Sequence, residues 1–208
     1  MNFDADPRLT VARGYDLIGD RYSSWAGESR DAVRTKYERV LIGGSPAGSG
    51  LLDLGCGNGI PTTRRLARHF HTTAVEISSL QAMRARSNLP TARVICADMT
   101  RLQFGPESFD AVSAFFSIIH VPRDEQGALV DSIAAWLRPG GVMVATMMSR
   151  SLDTGWEDDW LGAPMYWSGN GVEKNVGLIE GAGLMAESAE VESPDSESFL
   201  WVVARKPR

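Results

Sequence analysis

The segment LLDLGCGNG, residues 51–59, sets the architecture expected for the whole chain. Residues 51–54 predict a short buried strand, the glycines at 55, 57 and 59 predict a tight turn, and Pro61 stands near the start of a helix, where its missing N–H is tolerated. A strand, a glycine turn and a helix begin a nucleotide-binding βαβ unit. In such a unit a ligand approaches bare backbone and the N–H groups of the helix N-terminus.

The kind of nucleotide is indicated by two residues of this segment. A dinucleotide fingerprint GxGxxG would place its third glycine at position 60, but Ile60 stands there. Asp53 precedes the turn, and a carboxylate suits an ammonium group better than a pyrophosphate. The segment resembles the first motif of the class I S-adenosylmethionine-dependent methyltransferases, [LV]-[LV]-D-[LV]-G-C-G-x-G. This resemblance implies S-adenosyl-L-methionine as cofactor and S-adenosyl-L-homocysteine as product.

Composition limits the remaining classes of function. The 208 residues predict a single domain, and 43% hydrophobic and 23% charged residues are ordinary for a globular protein. A net charge of −5 without a basic run argues against nucleic acid. No apolar run predicts a membrane span or a signal peptide, and two cysteines without a required disulfide favour the cytoplasm. No clear set of metal ligands is seen.

The pattern of elements divides the chain into a cap and a core. Residues 1–43 predict an N-terminal helical cap, and a glycine-rich linker leads into an alternating β/α core over 44–208. Residues 149–171 are expected to form a long irregular lid rich in Trp. Two strands without an intervening helix end the chain, so one should be antiparallel. The resemblance implies a Rossmann-like, seven-stranded, mostly parallel sheet of order 3-2-1-4-5-7-6 within one methyltransferase domain, residues 1–208.

Acidic residues at the ends of successive strands carry the cofactor prediction. By resemblance, Asp53 faces the cofactor's ammonium, Glu76 its ribose hydroxyls, and Asp98 its adenine amine. Each has a structural alternative: Asp53 and Asp98 as turn residues, and Glu76 as a solvent-exposed strand-end acid. An NAD domain also binds its ribose with an acid at this place, so Glu76 alone does not separate the two cofactors. The complete set of predicted cofactor contacts is Tyr22, Asp53, Gly55, Cys56, Gly57, Asn58, Glu76, Ile77, Asp98, Met99, Phe116 and Ser117.

His120 follows the fourth strand and is the candidate catalytic residue. Near neutral pH its imidazole could take a proton from the acceptor, which is the usual role of a histidine base. The alternative is a structural histidine behind the sheet, or one that only orients the substrate. Both interpretations stay open on the sequence.

Aromatic residues in the cap and in the lid predict an apolar acceptor pocket. The segments YDLIGDRYSSW (15–25) and WLGAPMYWS (160–168) resemble the cap and lid of small bacterial methyltransferases. The predicted substrate contacts are Tyr15, Trp25, Trp156, Trp160, Met165, Tyr166 and Trp167. Packing of the helices and the lid is the alternative for each.

The function expected from these features is transfer of a methyl group to a small molecule, to oxygen before nitrogen. Motifs typical of enzymes that methylate nucleic-acid bases or protein arginine are missing. The rival functions are an NAD(P)-dependent oxidoreductase, which Ile60 and Asp53 disfavour, and a non-catalytic protein that binds S-adenosylmethionine.

Overall fold

The computed structural model describes residues 6–208, apart from the side chains at positions 23 and 26–29, so residues 1–5 of the predicted cap lie outside the described residues. The α-helices are α1 (Pro7–Ile18), α2 (Arg21–Gly44), α3 (Thr62–Leu66), α4 (Ser79–Asn88), α5 (Gln126–Trp136) and α6 (Val172–Gly181). The strands are β1 (Gly50–Leu54), β2 (His71–Glu76), β3 (Arg93–Cys96), β4 (Phe109–Ala114), β5 (Leu137–Met148), β6 (Ser151–Trp160), β7 (Ala163–Asn170), β8 (Met185–Glu192) and β9 (Phe199–Arg205).

The main sheet has seven strands in the order β3-β2-β1-β4-β5-β9-β8. The first five are parallel, and β9 runs antiparallel to both β5 and β8. This confirms the predicted order and the antiparallel terminal strand. The strand numbers differ from the prediction only because β6 and β7 pair in a second sheet of their own.

Alternating residues of the central strands cover both faces of the sheet. Leu52 and Leu54 pack in the cluster that includes Ile133 of α5, whereas Leu51 packs in the cluster that includes Leu41 of α2. Because both faces are buried, most residues of β1 and β4 are apolar, as expected of central parallel strands. The result is a sheet between two helical layers.

Helix α2 is anchored to the sheet by a pair of stacked aromatic rings. The rings of Tyr37 on α2 and Trp201 on β9 are nearly parallel, with centroids 4.3 Å apart. Helix α2 begins at Arg21, shortly after α1 ends at Ile18, so it continues almost directly from α1.

The irregular lid expected for residues 149–171 is instead the antiparallel β6–β7 hairpin. Trp160 pairs with Ala163 across a two-residue loop, Leu161-Gly162, in which both residues have positive φ (54° and 84°). This is the geometry of a tight hairpin turn. The alternation that would have predicted the strands is obscured by Gly155 and by the acidic run at 157–159.

Helix α3, which follows the glycine turn, is only five residues long and has Pro61 as its N-cap residue. Strand β5 begins at Leu137, directly after α5. Ser78 caps α4, since its hydroxyl accepts from the Gln81 N–H at 3.1 Å. Within the described residues, no helix combines the length and apolarity that crossing a bilayer requires.

The contact between α1 and the hairpin depends on the missing side chain of Gly14. A Cβ at this position would lie 2.6 Å from the Pro164 carbonyl oxygen. We expect Gly14→Ala to lower the free energy of unfolding by about 1–3 kcal/mol, the usual cost of overpacking. The matched control is Gly177→Ala in exposed helix α6, where a Cβ would meet nothing within 4 Å and should stabilise the helix by about 0.5–1 kcal/mol. Urea unfolding measures both values. Equal effects would contradict the packing account.

Candidate functional site

A cavity of about 460 Å³ opens at the carboxyl ends of the parallel strands, beneath α1 and α2. Ligands of open α/β sheets are held at this edge. All twelve residues predicted to contact a cofactor line this cavity, and so do Tyr15 and His120. The fold thus brings together residues that are far apart in sequence, whereas their roles in binding stay predictions.

The glycine turn shapes the cavity in two ways. Gly55 has φ 82°, and a Cβ there would lie 2.3 Å from the Ser117 Cβ, so a larger residue would push the turn away from the end of β4. Gly57 has φ 58°, and a Cβ there would meet nothing within 4 Å. The backbone of Gly57 therefore faces open space, where a ligand can approach closely.

Asp53 is a buried carboxylate held by two hydroxyl groups. Its two oxygens accept from Thr63 Oγ1 at 2.6 Å and Ser113 Oγ at 2.7 Å. Burial raises the pKa of this carboxyl. Its hydrogen bonds do not go to the N–H groups of the turn, which argues against the alternative of a simple turn cap. A carboxylate has about four lone-pair positions, so Asp53 can accept further donors from the cavity.

Glu76 organises the turn as well as facing the cavity. Its oxygens accept from the Gly57 N–H and the Ser78 N–H, both at 2.8 Å. It is buried, which excludes the alternative of an exposed strand-end acid, and burial raises the pKa of its carboxyl. The turn and the end of β2 are thus held in one arrangement by this single side chain.

Asp98 is engaged by a residue that the sequence analysis did not identify. The Nε of Arg8 on α1 lies 3.0 Å from Asp98 Oδ2, and the same guanidinium pairs with Glu125. Asp98 Oδ1 accepts from the Thr100 N–H at 2.9 Å. Arg8 thereby ties the cap to the end of β3. About ninety positions separate Arg8 from Asp98, so no local pattern in the sequence predicts this ion pair.

Arg34 on α2 is the second residue that sequence reasoning missed. It is buried, lines the cavity, and donates to the Tyr22 hydroxyl at 3.2 Å, with its guanidinium 5.1 Å from the Phe116 ring centroid. Among the described side chains no carboxylate forms an ion pair with it. A buried cation without an ionic partner is costly, so Arg34 is suited to hold an anionic group of a ligand. The spacing of Arg30, Arg34 and Glu38, each four residues after the last, places them on one face of α2, but their burial is seen only in the structure.

His120 is buried against the cap and the hairpin. Its Nδ1 lies 2.8 Å from the Tyr166 carbonyl oxygen, an acceptor, so Nδ1 carries the proton. Its Nε2 lies 2.9 Å from the Tyr15 hydroxyl, which must then be the donor. Burial lowers the pKa of His120 to about 4, so the imidazole is neutral at physiological pH.

This burial makes the stability of the protein depend on pH. An unfolded histidine has a pKa near 6.5, whereas the pKa of folded His120 is about 4. As the pH falls towards 4, the imidazole is therefore protonated in the unfolded chain before it is protonated in the folded protein. Stability is therefore lost through this window. We expect the native protein to lose about 2 kcal/mol more than His120→Gln between pH 7 and pH 4.5, measured by urea unfolding. The control His71→Gln, at an exposed histidine, should keep the native slope, and a native slope in His120→Gln would refute the assignment.

The remaining residues predicted to contact a substrate lie outside the cavity wall in the described part of the chain. Tyr15, Trp25 and Trp160 are in edge-on contact, with Trp160 at 6.0 Å from Tyr15 and 5.4 Å from Trp25 between centroids. These rings pack the cap against the hairpin. The other members of this group, in the hairpin, are Trp156, Met165, Tyr166 and Trp167. Their contact with a substrate stays a prediction.

Comparisons with known proteins show what the chain is similar to. A family model described as "Methyltransferase domain" matches residues 51–141, which include the glycine turn and its acidic neighbours. A dTDP-3-amino-3,4,6-trideoxy-alpha-D-glucopyranose N,N-dimethyltransferase from Streptomyces venezuelae is 33% identical over 135 residues, covering 62% of this chain and 54% of that protein. A 27-O-demethylrifamycin SV methyltransferase from Amycolatopsis mediterranei is 33% identical over 152 residues, with coverages of 63% and 55%.

A solved structure shares the whole fold. The N-methyltransferase NodS from Bradyrhizobium japonicum, in complex with S-adenosyl-L-homocysteine, superposes with a TM-score of 0.74 at 16% identity, covering 98% of this chain and all (100%) of that one. The chain spans about half the length of the two curated relatives. Residues 51–141 are thus similar to a methyltransferase domain, and the whole chain shares its fold with a solved methyltransferase.

Proposed function

We propose that the protein transfers the methyl group of S-adenosylmethionine to a small molecule. The observation that carries the proposal is the arrangement of Asp53, Glu76 and Asp98 around one cavity, at the ends of three neighbouring strands, with the open backbone of Gly57 between them. Three carboxylates in this order suit a ligand that offers an ammonium group to Asp53, ribose hydroxyls to Glu76 and an adenine amine to Asp98. They do not suit a pyrophosphate, because its negative charge would be repelled.

The residues present fit the two ends of this cofactor. Arg34 would hold the carboxylate of its methionine part, together with Thr62, whose buried hydroxyl lines the cavity without a hydrogen-bond partner. Asp53 would accept from the ammonium group. Glu76 keeps two lone-pair positions for the ribose hydroxyls after bonding the turn, and Asp98 likewise for the adenine amine.

The protein's own contribution to the chemistry is positioning and exclusion of water. The sulfonium of the bound cofactor supplies an activated methyl group. Holding an acceptor in line with it can account for ~7–11 kcal/mol of the barrier. Tyr15 and Tyr22 from the cap and His120 from the core line the same cavity, so they are placed to orient the acceptor.

A small acceptor is supported by the limited size of the cavity under the cap, about 460 Å³, and by the small molecules in the names of the two curated relatives. The sequence alone favoured oxygen before nitrogen as the acceptor atom. One relative is named as an N,N-dimethyltransferase and the other for an O-demethyl compound. The proposed function therefore includes both nitrogen and oxygen as acceptor atoms.

The test is transfer of label from methyl-deuterated S-adenosylmethionine to a bacterial metabolite extract, followed by mass spectrometry. We expect a labelled product that passes a filter retaining macromolecules, and formation of S-adenosylhomocysteine that depends on the extract. Label found only on retained protein or nucleic acid would contradict a small-molecule acceptor. A complete lack of transfer, in protein that binds S-adenosylhomocysteine, would favour the non-catalytic alternative.

A further inference from the structure

We propose that the acceptor atom is the nitrogen of an amine and that the Tyr15 hydroxyl oxygen accepts its N–H group. The inference rests on the proposed function and specifies its substrate class, reversing the preference for oxygen. It depends on which cavity groups have hydrogen-bonding capacity left, and on the charge of the cavity wall.

Tyr15 and His120 form a relay with a fixed direction. His120 donates from Nδ1 to the Tyr166 carbonyl oxygen, so its Nε2 can only accept a hydrogen bond. The hydrogen between Tyr15 and Nε2 is therefore the hydroxyl hydrogen of Tyr15. Because the hydrogen of Tyr15 is committed to His120, the phenolic oxygen presents lone pairs to the cavity. The site therefore offers an acceptor for an N–H group and no free base at His120.

The carboxylates of the cavity are committed to protein donors and, in the proposed function, to the ammonium, ribose and adenine groups of the cofactor. Asp53 is held by two hydroxyls, Glu76 by two backbone N–H groups, and Asp98 by Arg8 and Thr100. Asp31 is paired with Arg65 at 2.7 Å. An alcohol needs a base to become a nucleophile, and among the described residues none of these carboxylates is positioned as one. His120 could take a proton only through Tyr15, and with a pKa lowered to about 4 by burial it is a weak base for an alcohol. A neutral amine attacks through its own lone pair and needs none.

The charge of the cavity wall disfavours an acceptor that arrives as an anion. Four carboxylates line the cavity, at Asp31, Asp53, Glu76 and Asp98. Asp31 is paired with Arg65 and Asp98 with Arg8, which leaves Asp53 and Glu76 against the single guanidinium of Arg34. This excess of negative charge repels a carboxylate or phenolate and attracts an amine, which is cationic in solution. The burial of His120, which lowers its pKa to about 4, keeps that side chain from adding a compensating positive charge.

The reaction balances without a further reactant. The ammonium form of the acceptor gives its proton to solvent before it binds as the neutral amine. A carbon–nitrogen bond then forms as the carbon–sulfur bond breaks, with its electron pair left on sulfur. The nitrogen becomes a methylated ammonium, whose extra proton passes to water after release. Tyr15 and His120 hold the same protons before and after the step, so Tyr15 acts by orienting the amine.

The test uses protein saturated with S-adenosylhomocysteine, checked first by calorimetry. Three probes with one frame, benzylamine, benzyl alcohol and benzoate, are compared by ligand-observed NMR. We expect benzylamine to bind at least fivefold more tightly than the other two, and Tyr15→Phe to weaken it roughly five- to tenfold, which is the effect of one hydrogen bond. The matched control is Tyr37→Phe, which removes a buried hydroxyl remote from the cavity and should retain the preference.

A second readout concerns His120 alone. In ¹⁵N-labelled protein, with His120→Gln to assign its signals among the three histidines, Nε2 should stay unprotonated from pH 6 to pH 8. Equal or tighter binding of benzyl alcohol or benzoate, an unaffected Tyr15→Phe, or a His120 that titrates near neutrality would each overturn the amine acceptor. Failure to bind S-adenosylhomocysteine would instead overturn the proposed function itself.

Discussion

Replacing Glu76 by glutamine is expected to weaken the binding of S-adenosylhomocysteine about a hundredfold. The variant loses a charge that would accept from the ribose, and its amide NH₂ would face one of two backbone donors, the Gly57 or the Ser78 N–H. Hydrogen bonds to a charged group contribute about 1.5–3 kcal/mol each, so the loss of one or two accounts for this factor. Isothermal titration calorimetry measures it.

If Glu76 binds the ribose, Glu76→Gln should also weaken the binding of a second ligand that contains the ribose. Binding of methylthioadenosine, which keeps the ribose and adenine but lacks the amino-acid part, should weaken by a similar factor. Glu187→Gln is the matched control, because Glu187 pairs with Arg205 on the outer strands of the sheet and should leave both affinities unchanged. An unchanged affinity for both ligands in Glu76→Gln would show that the ribose is not bound there.

Arg34→Gln should separate the two ligands that Glu76→Gln affects together. We expect about thirtyfold weaker binding of S-adenosylhomocysteine, because its carboxylate would lose the buried guanidinium, and an unchanged affinity for methylthioadenosine, which has no carboxylate. Arg39→Gln, an exposed arginine on the same helix, is the control.

The melting temperature is recorded in parallel for these arginine variants, because Arg34 also donates to Tyr22 and contacts Phe116. A variant that loses both ligands equally would point to a collapsed cavity. One that loses neither would remove Arg34 from the cofactor site.

The strands and turns could be predicted because their signals are local, whereas the order of the strands was implied by the family resemblance. The segment 51–59 specifies the strand and the turn, Pro61 marks the start of the helix that follows, and the apolar run of β4 marks a central strand. The lack of a helix between β8 and β9 indicates an antiparallel neighbour. Each of these features depends on residues close together in sequence, where periodicity and turn chemistry act directly.

The parts that escaped prediction depend on contacts across the chain. The β6–β7 hairpin is stabilised where its inner face meets α1 at Gly14, and its own sequence is interrupted by Gly155 and an acidic run. Arg8 and Arg34 acquire their positions only when the cap folds over the strand ends. The neutral state of His120 likewise depends on distant Tyr15 and Tyr166, which its own neighbours in sequence do not reveal.

The most direct test of the account is a calorimetric titration of the purified protein with S-adenosylhomocysteine and, separately, with NAD. The arrangement of Asp53, Glu76 and Asp98 around the Gly57 backbone predicts one molecule of S-adenosylhomocysteine bound per chain and no measurable binding of NAD. Binding of NAD with no binding of S-adenosylhomocysteine would contradict it.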